Sequence, residues 1–156
     1  PAFDLCLPVL RTVSHTQHFL GEFGNGSRMK IVANLLIASH NVAAAEAFVL
    51  GVSAGLEPQL IYDVISTSAA TSRMFEIRGP LMVSEEYNTA TMKMDLWQKD
   101  LAIIGAYAQK LGVHAPLFEA STKLYKEGIA QGRDKQDTAS VRAVLEDISN
   151  EIRKKN

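Results

Sequence analysis

The residues best suited to chemistry lie in one run, Gly24-Asn25-Gly26-Ser27-Arg28-Met29-Lys30-Ile31-Val32-Ala33-Asn34. A glycine-rich turn leads into a helical pattern that carries a lysine and an asparagine four residues apart. Four residues is about one helical turn, so Lys30 and Asn34 share a face. An amine and an amide on an otherwise apolar helix are costly unless a polar group meets them. That group is either another part of the protein or a substrate. Asn41 stands about three turns beyond Lys30 on nearly the same stripe, and the polar stripe reads as the lining of a cleft.

Other candidate groups carry less. Lys99 and Asp100 follow Trp97 in a second apolar pattern. Sequence neighbours point about 100° apart on a helix, so the two do not pair locally and by themselves read as a solvated edge. Gly21, Gly24 and Gly26 invite comparison with a dinucleotide fingerprint. They fall at its first, fourth and sixth positions, whereas the fingerprint needs the first, third and sixth. A tight turn that re-aims the chain into a long helix fits them better. The histidines His15, His18, His40 and His114 lack metal-ligand spacing, and no metal is expected. Cys6 has no basic neighbour and reads as a small packed hydrophobe. Met29, Met74, Met82, Met92 and Met94 read as core filler.

The elements that must position these residues follow from periodicity. Ala2 to Val13 reads as a short amphipathic helix with Phe3, Leu7, Leu10 and Val13 on one face. Thr16 to Leu20 is a brief strand candidate. Ser27, as N-cap, opens a long helix reaching about Ala54, apolar on most sides and therefore expected to be central and buried. Gly55 suits its C-terminal stop. Glu57 to Ser66 reads as a helix with Pro58 in its first turn and Ile61, Val64 and Ile65 inward. Met74 to Val83 is a short helix that Gly79-Pro80 should interrupt, and Glu85 to Thr91 reads as an exposed loop. Trp97 to Leu111 is helical, with Leu101, Ile104, Tyr107, Ala108 and Leu111 on one face. Pro116 to Ala130 should pack Leu117, Ala120, Leu124 and Ile129. The last helix runs from Thr138 or Ala139 to Arg153, with Val141, Val144, Leu145, Ile148 and Ile152 inward. Beyond residues 16–20 no strand is expected, so the class is all-α.

Composition bounds the function. The chain has 156 residues and a net charge of −1, which does not point to nucleic acid or an anionic membrane surface. A single cysteine excludes an internal disulfide and fits a reducing, cytoplasmic setting. No stretch reads as the run of about 18 apolar residues that a membrane span requires. The chain opens on Pro1, within what reads as a structural element, and is expected to be part of a longer one.

Taken together, Gly24-x-Gly26-x-x-x-Lys30-x-x-x-Asn34, then Lys99-Asp100-Leu101, then Gly112-Val113-x-x-Pro116 resembles the β-hydroxyacid dehydrogenase family. Within it the likeness is to the 3-hydroxyisobutyrate dehydrogenase group, related to 6-phosphogluconate dehydrogenase. The likeness runs over essentially the whole chain. It implies a 6-phosphogluconate dehydrogenase C-terminal-like helical domain over residues 21–156, preceded by residues 1–20 as the helix-strand tail of a missing N-terminal Rossmann domain. It implies that Lys30 is the catalytic lysine and that Asn34 holds substrate and positions that lysine. Gly24 and Gly26 would form the turn that approaches the substrate carboxylate. Lys99 would face the cofactor, with Asp100 supporting the architecture.

The implied reaction is the NAD- or NADP-dependent interconversion of a small 2- or 3-hydroxy acid and its oxo acid or semialdehyde. Lys30 would exchange the proton. A free lysine, with a pKa near 10.4, is too basic for that at neutral pH, and burial with a nearby cation such as Lys99 is the expected remedy. Asn34 is uncharged and can bind a hydroxyl or carboxylate without opposing it. Imine-reducing relatives generally lack this lysine, so the resemblance implies hydroxy-acid substrates. It also implies a homodimer or homotetramer, and a chain inactive without its cofactor domain. The rival expectation is a stand-alone helical dimerisation or ligand-binding module, motivated by 47% hydrophobic residues in so small a domain.

Overall fold

A computed structural model describes residues 2–155, and the side chains of residues 2–154. The helices are α1 (Ala2–Val13), α2 (Asn25–Ser53), α3 (Pro58–Ser66), α4 (Arg73–Ser84), α5 (Met94–Lys110), α6 (Pro116–Ala130) and α7 (Val141–Lys155), with a 3-10 turn at Thr138–Ser140. No strand occurs among the described residues, and the one isolated bridge joins Lys93 to Asp137. The all-α expectation holds. The strand expected at residues 16–20 is absent, because that segment has no partner and satisfies itself through local bonds such as Ser14 Oγ to the Thr16 carbonyl, 2.8 Å. The chain divides into two compact units, Pro1–Ile31 and Val32–Asn156, with α2 running through the division.

In the first unit α1 passes through Pro8 and leaves Leu5, Val9 and Val13 exposed. Cys6 is exposed rather than packed. Phe3 and Phe19 meet with ring centroids 5.4 Å apart. The start of α2 is two residues earlier than the Ser27 cap expected. Gly24, at φ 93°, takes a conformation open chiefly to glycine, and its carbonyl accepts the first helical bond from Arg28 N at 3.1 Å. Asn25 adds a bond from Nδ2 to the Leu20 carbonyl, 2.7 Å.

In the second unit the core gathers around the C-terminal part of α2, where Ala38, Asn41, Val42, Ala44, Ala45 and Phe48 are buried. Phe75 stacks between Phe48 and Tyr62, at 5.4 Å and 5.9 Å. Met82, Met94, Trp97, Tyr125, Val141 and Val144 complete it. Gly55 closes α2 with a paired motif, Gly55 N to the Val52 carbonyl and Leu56 N to the Gly51 carbonyl.

Several inward faces differ from expectation. On α6 the buried side chains are Phe118, Ser121 and Tyr125, while Leu117 and Ala120 face out. Val64, Leu111 and Ile152 are exposed, as is Met29, whereas Tyr87 in the expected loop is buried. The helix α4 is not broken at Gly79-Pro80. Pro80 cannot donate to the Glu76 carbonyl, and the Tyr62 hydroxyl donates there instead at 3.2 Å. The Tyr62 ring lies where a Cβ on residue 79 would stand, 2.5 Å away, so glycine is required for this approach. Finally, α2 is long and apolar enough to cross a membrane by length and composition, which corrects the expectation that no stretch reaches that length. A buried core helix meets the same criterion, and the last half of α2 is one.

Candidate functional site

Lys30 and Asn34 stand one turn apart near the start of α2. That part of the helix is not buried as expected: Lys30 is exposed and Asn34 half-buried. Neither side chain makes a hydrogen bond or ion pair with any described residue. Their polar ends are therefore available to something outside the described chain. Met29, Val32 and Leu36, spaced i, i+3 and i+7, are 51%, 53% and 48% exposed along the same stretch. Gly24 and Gly26 form the entrance of the helix, with open space where a Cβ would stand on either.

Lys99 lies on α5, exposed and also unpaired, with Asp100 beside it half-buried. No hydrogen bond joins Lys99 to Asn34. What fixes Lys99 is the anchoring of α5 at its start. Met94 N and Asp95 N donate to the carbonyls of Gln136 and Asp134, at 2.9 Å and 3.0 Å. The hub of that anchor is Asp137, fully buried. Its Oδ2 accepts from Arg78 Nη1 at 2.9 Å, from the Thr91 and Met92 amides and from the Thr91 hydroxyl, and its Oδ1 accepts from Ala139 N. Sequence reading missed this hub, because nothing near Asp137 in the chain announces an arginine 59 residues away.

Asn41 does not line a cleft with Lys30 and Asn34. It is buried in the core, where Nδ2 donates to the Tyr125 hydroxyl at 3.0 Å and to the Thr138 carbonyl at 2.9 Å. The Tyr125 hydroxyl in turn donates to the Ala38 carbonyl at 3.0 Å. Burial pushes the Tyr125 phenol well above its ordinary range, so it remains a neutral donor. The physical reason for the correction is that the polar stripe passes from an exposed to a covered part of the helix, and its last member found partners inside.

A cavity of about 260 Å³ opens beside α2, lined by His40, Ala43, Ala44, Ala47, Thr71 and Phe75 among others. Among the described residues no group of three or more His, Cys, Asp or Glu side chains could hold a metal ion.

The family model described as "NAD-binding of NADP-dependent 3-hydroxyisobutyrate dehydrogenase" matches residues 24–145. The chain belongs to this family. The L-threonate dehydrogenase of Haemophilus influenzae is 35% identical over 151 residues, covering 95% of this chain and 49% of that protein. The chloroplastic glyoxylate/succinic semialdehyde reductase 2 of Arabidopsis thaliana is 30% identical over 141 residues, covering 90% of this chain and 39% of that protein. A solved structure of 3-hydroxyisobutyrate dehydrogenase from Salmonella typhimurium superposes with a TM-score of 0.85 at 32% identity, covering 92% of this chain and 50% of that one. The family expected from the Lys30/Asn34 and Lys99-Asp100-Leu101 motifs is thus the family found, and its all-helical part is the fold observed. The chain spans about half the length, or less, of the relatives it matches.

Proposed function

We propose that this chain is the helical part of an NAD- or NADP-dependent oxidoreductase that interconverts a small 2- or 3-hydroxy acid and its oxo acid or semialdehyde. The observation that carries the reading is the free pair on α2. Lys30 and Asn34 share one helical face, and neither has a protein partner. Relatives named for L-threonate, glyoxylate and succinic semialdehyde support a short substrate bearing a carboxylate.

In this reading Lys30 accepts the proton of the substrate hydroxyl during oxidation and returns one during reduction. Asn34 donates its amide N–H to the substrate carboxylate or hydroxyl and holds it beside Lys30. The turn at Gly24 and Gly26 lets backbone approach the substrate, since no side chain intervenes. The donor chemistry of α5 fits a dinucleotide, because Lys99 offers an exposed ammonium with no internal partner. When bound, the nicotinamide supplies the hydride acceptor or donor. The cradle for its phosphates belongs to a Rossmann domain, for which residues 1–20 are the tail; the chain alone would then be inactive.

The exposed apolar side chains Met29, Val32 and Leu36 support the further proposal of a homodimer or homotetramer. The reading places the protein in the cytoplasm. The test is a substrate panel on the whole protein, L-threonate, 3-hydroxyisobutyrate and glyoxylate with each dinucleotide. Dinucleotide-dependent turnover of at least one supports the reading, and a whole protein inert toward all three counts against it.

A further inference from the structure

The surface of α2 that meets the core between Ala38 and Phe48 is largely alanine, with Val42 and Phe48. Apolar burial is non-directional, so so smooth a surface resists rotation of the helix only weakly. Hydrogen bonds are directional, and three of them act here. Asn41 Nδ2 reaches the Tyr125 hydroxyl on α6 and the Thr138 carbonyl of the 3-10 turn, and Tyr125 reaches back to the Ala38 carbonyl of α2. Together they grip α2 at two consecutive turns.

We propose that Asn41 and Tyr125 are positioning residues that fix the rotation of α2 and thereby aim Asn34 at the substrate, a proposal that rests on the functional reading above. Asn34 stands seven residues before Asn41, two turns along nearly the same face, about 10 Å up the axis. A rotation of about 20° moves a side-chain tip on a helix of about 5–6 Å radius by about 2 Å. Misplacement by about 1 Å can cost on the order of a hundredfold in rate. The amide is not fully satisfied where it sits. Asn41 Oδ1 is buried without a partner, and an apolar residue of similar size would leave no such orphan on α2.

The test uses the whole protein carrying Asn41→Leu or Tyr125→Phe, with Lys30→Ala as a control. Tyr125→Phe retains the ring that packs edge-on against Trp97 at 6.3 Å, and it carries the test alone if Asn41→Leu fails to fold. With the best substrate among L-threonate, 3-hydroxyisobutyrate and glyoxylate, each folded variant should raise the hydroxy-acid KM about tenfold or more. The dinucleotide KM should stay within about twofold, because α5 keeps its own anchor. Amide exchange over residues 31–37 should quicken by about tenfold in both variants, while α5 is unchanged. Folded variants with unaltered hydroxy-acid KM overturn the proposal, whatever exchange shows. Near-normal turnover by Lys30→Ala fails the functional reading instead. A whole protein inert toward all three substrates also fails that reading, and the exchange over residues 31–37 then decides this one.

Discussion

The two halves of α2 are built from similar residues and meet different surroundings. The first half exposes Met29, Val32 and Leu36, and its polar side chains Lys30 and Asn34 have no protein partner. The second half buries Ala38, Val42, Ala45 and Phe48, and its polar side chain Asn41 is held by Tyr125 and Thr138. The enclosed Asn41 amide finds internal acceptors for its N–H groups, because leaving a buried donor unmet is costly. A polar group that the fold leaves without a partner is one that can act on something else. The buried arginines and the exposed Lys99 show the same contrast. Buried Arg78 and Arg142 are paired, the first with Asp137 and the second with Glu85, Glu146 and the Met82 carbonyl. Exposed Lys99 is not.

Perturbations of the enclosed class should cost stability, with a cost in function as well at Asn41 and Tyr125, and those of the free class should cost function alone. The largest stability effect belongs to Asp137→Ala, which strands a buried guanidinium and three amides. About 3–5 kcal/mol should be lost, as measured by urea denaturation of the whole protein. Next is the contrast between two asparagines on one helix. Asn41→Ala should cost about 1–3 kcal/mol, because the Thr138 carbonyl loses its donor. Asn34→Ala should change stability by less than about 0.5 kcal/mol while raising the hydroxy-acid KM. Equal stability losses at the two positions would erase the comparison.

Smaller effects sharpen it through pH. Burial raises Tyr87 from its ordinary 10.0 to about 12, with Arg142 opposing. A raised folded-state value means that its contribution is complete below about pH 10 and disappears as pH rises towards about 12. Tyr87→Phe should abolish that alkaline loss. At pH 7 it should be neutral or stabilising, since the hydroxyl is buried without a partner. The smallest effect belongs to the exposed pair of Lys135 and Asp95, 2.6 Å apart. Its hydrogen bond lowers the Asp95 carboxyl and raises the Lys135 ammonium. The Asp95 contribution is present above its unfolded-state value and lost as pH falls through the depressed one. The Lys135 contribution is present below its unfolded-state value and lost as pH rises through the raised one. Lys135→Ala should lower the neutral thermal midpoint slightly and leave the acid and alkaline extremes unchanged, which flattens the pH profile.

Helix ends were legible because they are written in local chemistry. Pro58 and Pro116 open α3 and α6, and Gly55, Gly112 and Gly132 lie just past the ends of α2, α5 and α6 with positive φ. Helix faces were less legible. On α6 the leucines suggested one face, but Phe118 and Tyr125, one heptad apart, bury the other, since aromatic bulk decides which side a core can fill. The continuity of α4 was hidden because Tyr62, on another helix, supplies the bond that Pro80 cannot. Of the candidate site, the shared helical face of Lys30 and Asn34 could be read from their spacing. The role of Asn41 could not, because its partners lie 84 and 97 residues away.

The decisive measurement is kcat of the Lys30→Ala variant of the whole protein on the hydroxy acid it turns over best, beside the unaltered protein. General acid–base catalysis by Lys30 predicts a fall of about a hundredfold or more with the fold intact. Turnover near that of the unaltered protein would contradict a catalytic Lys30, and the free lysine on α2 would then be a solvated side chain and no more.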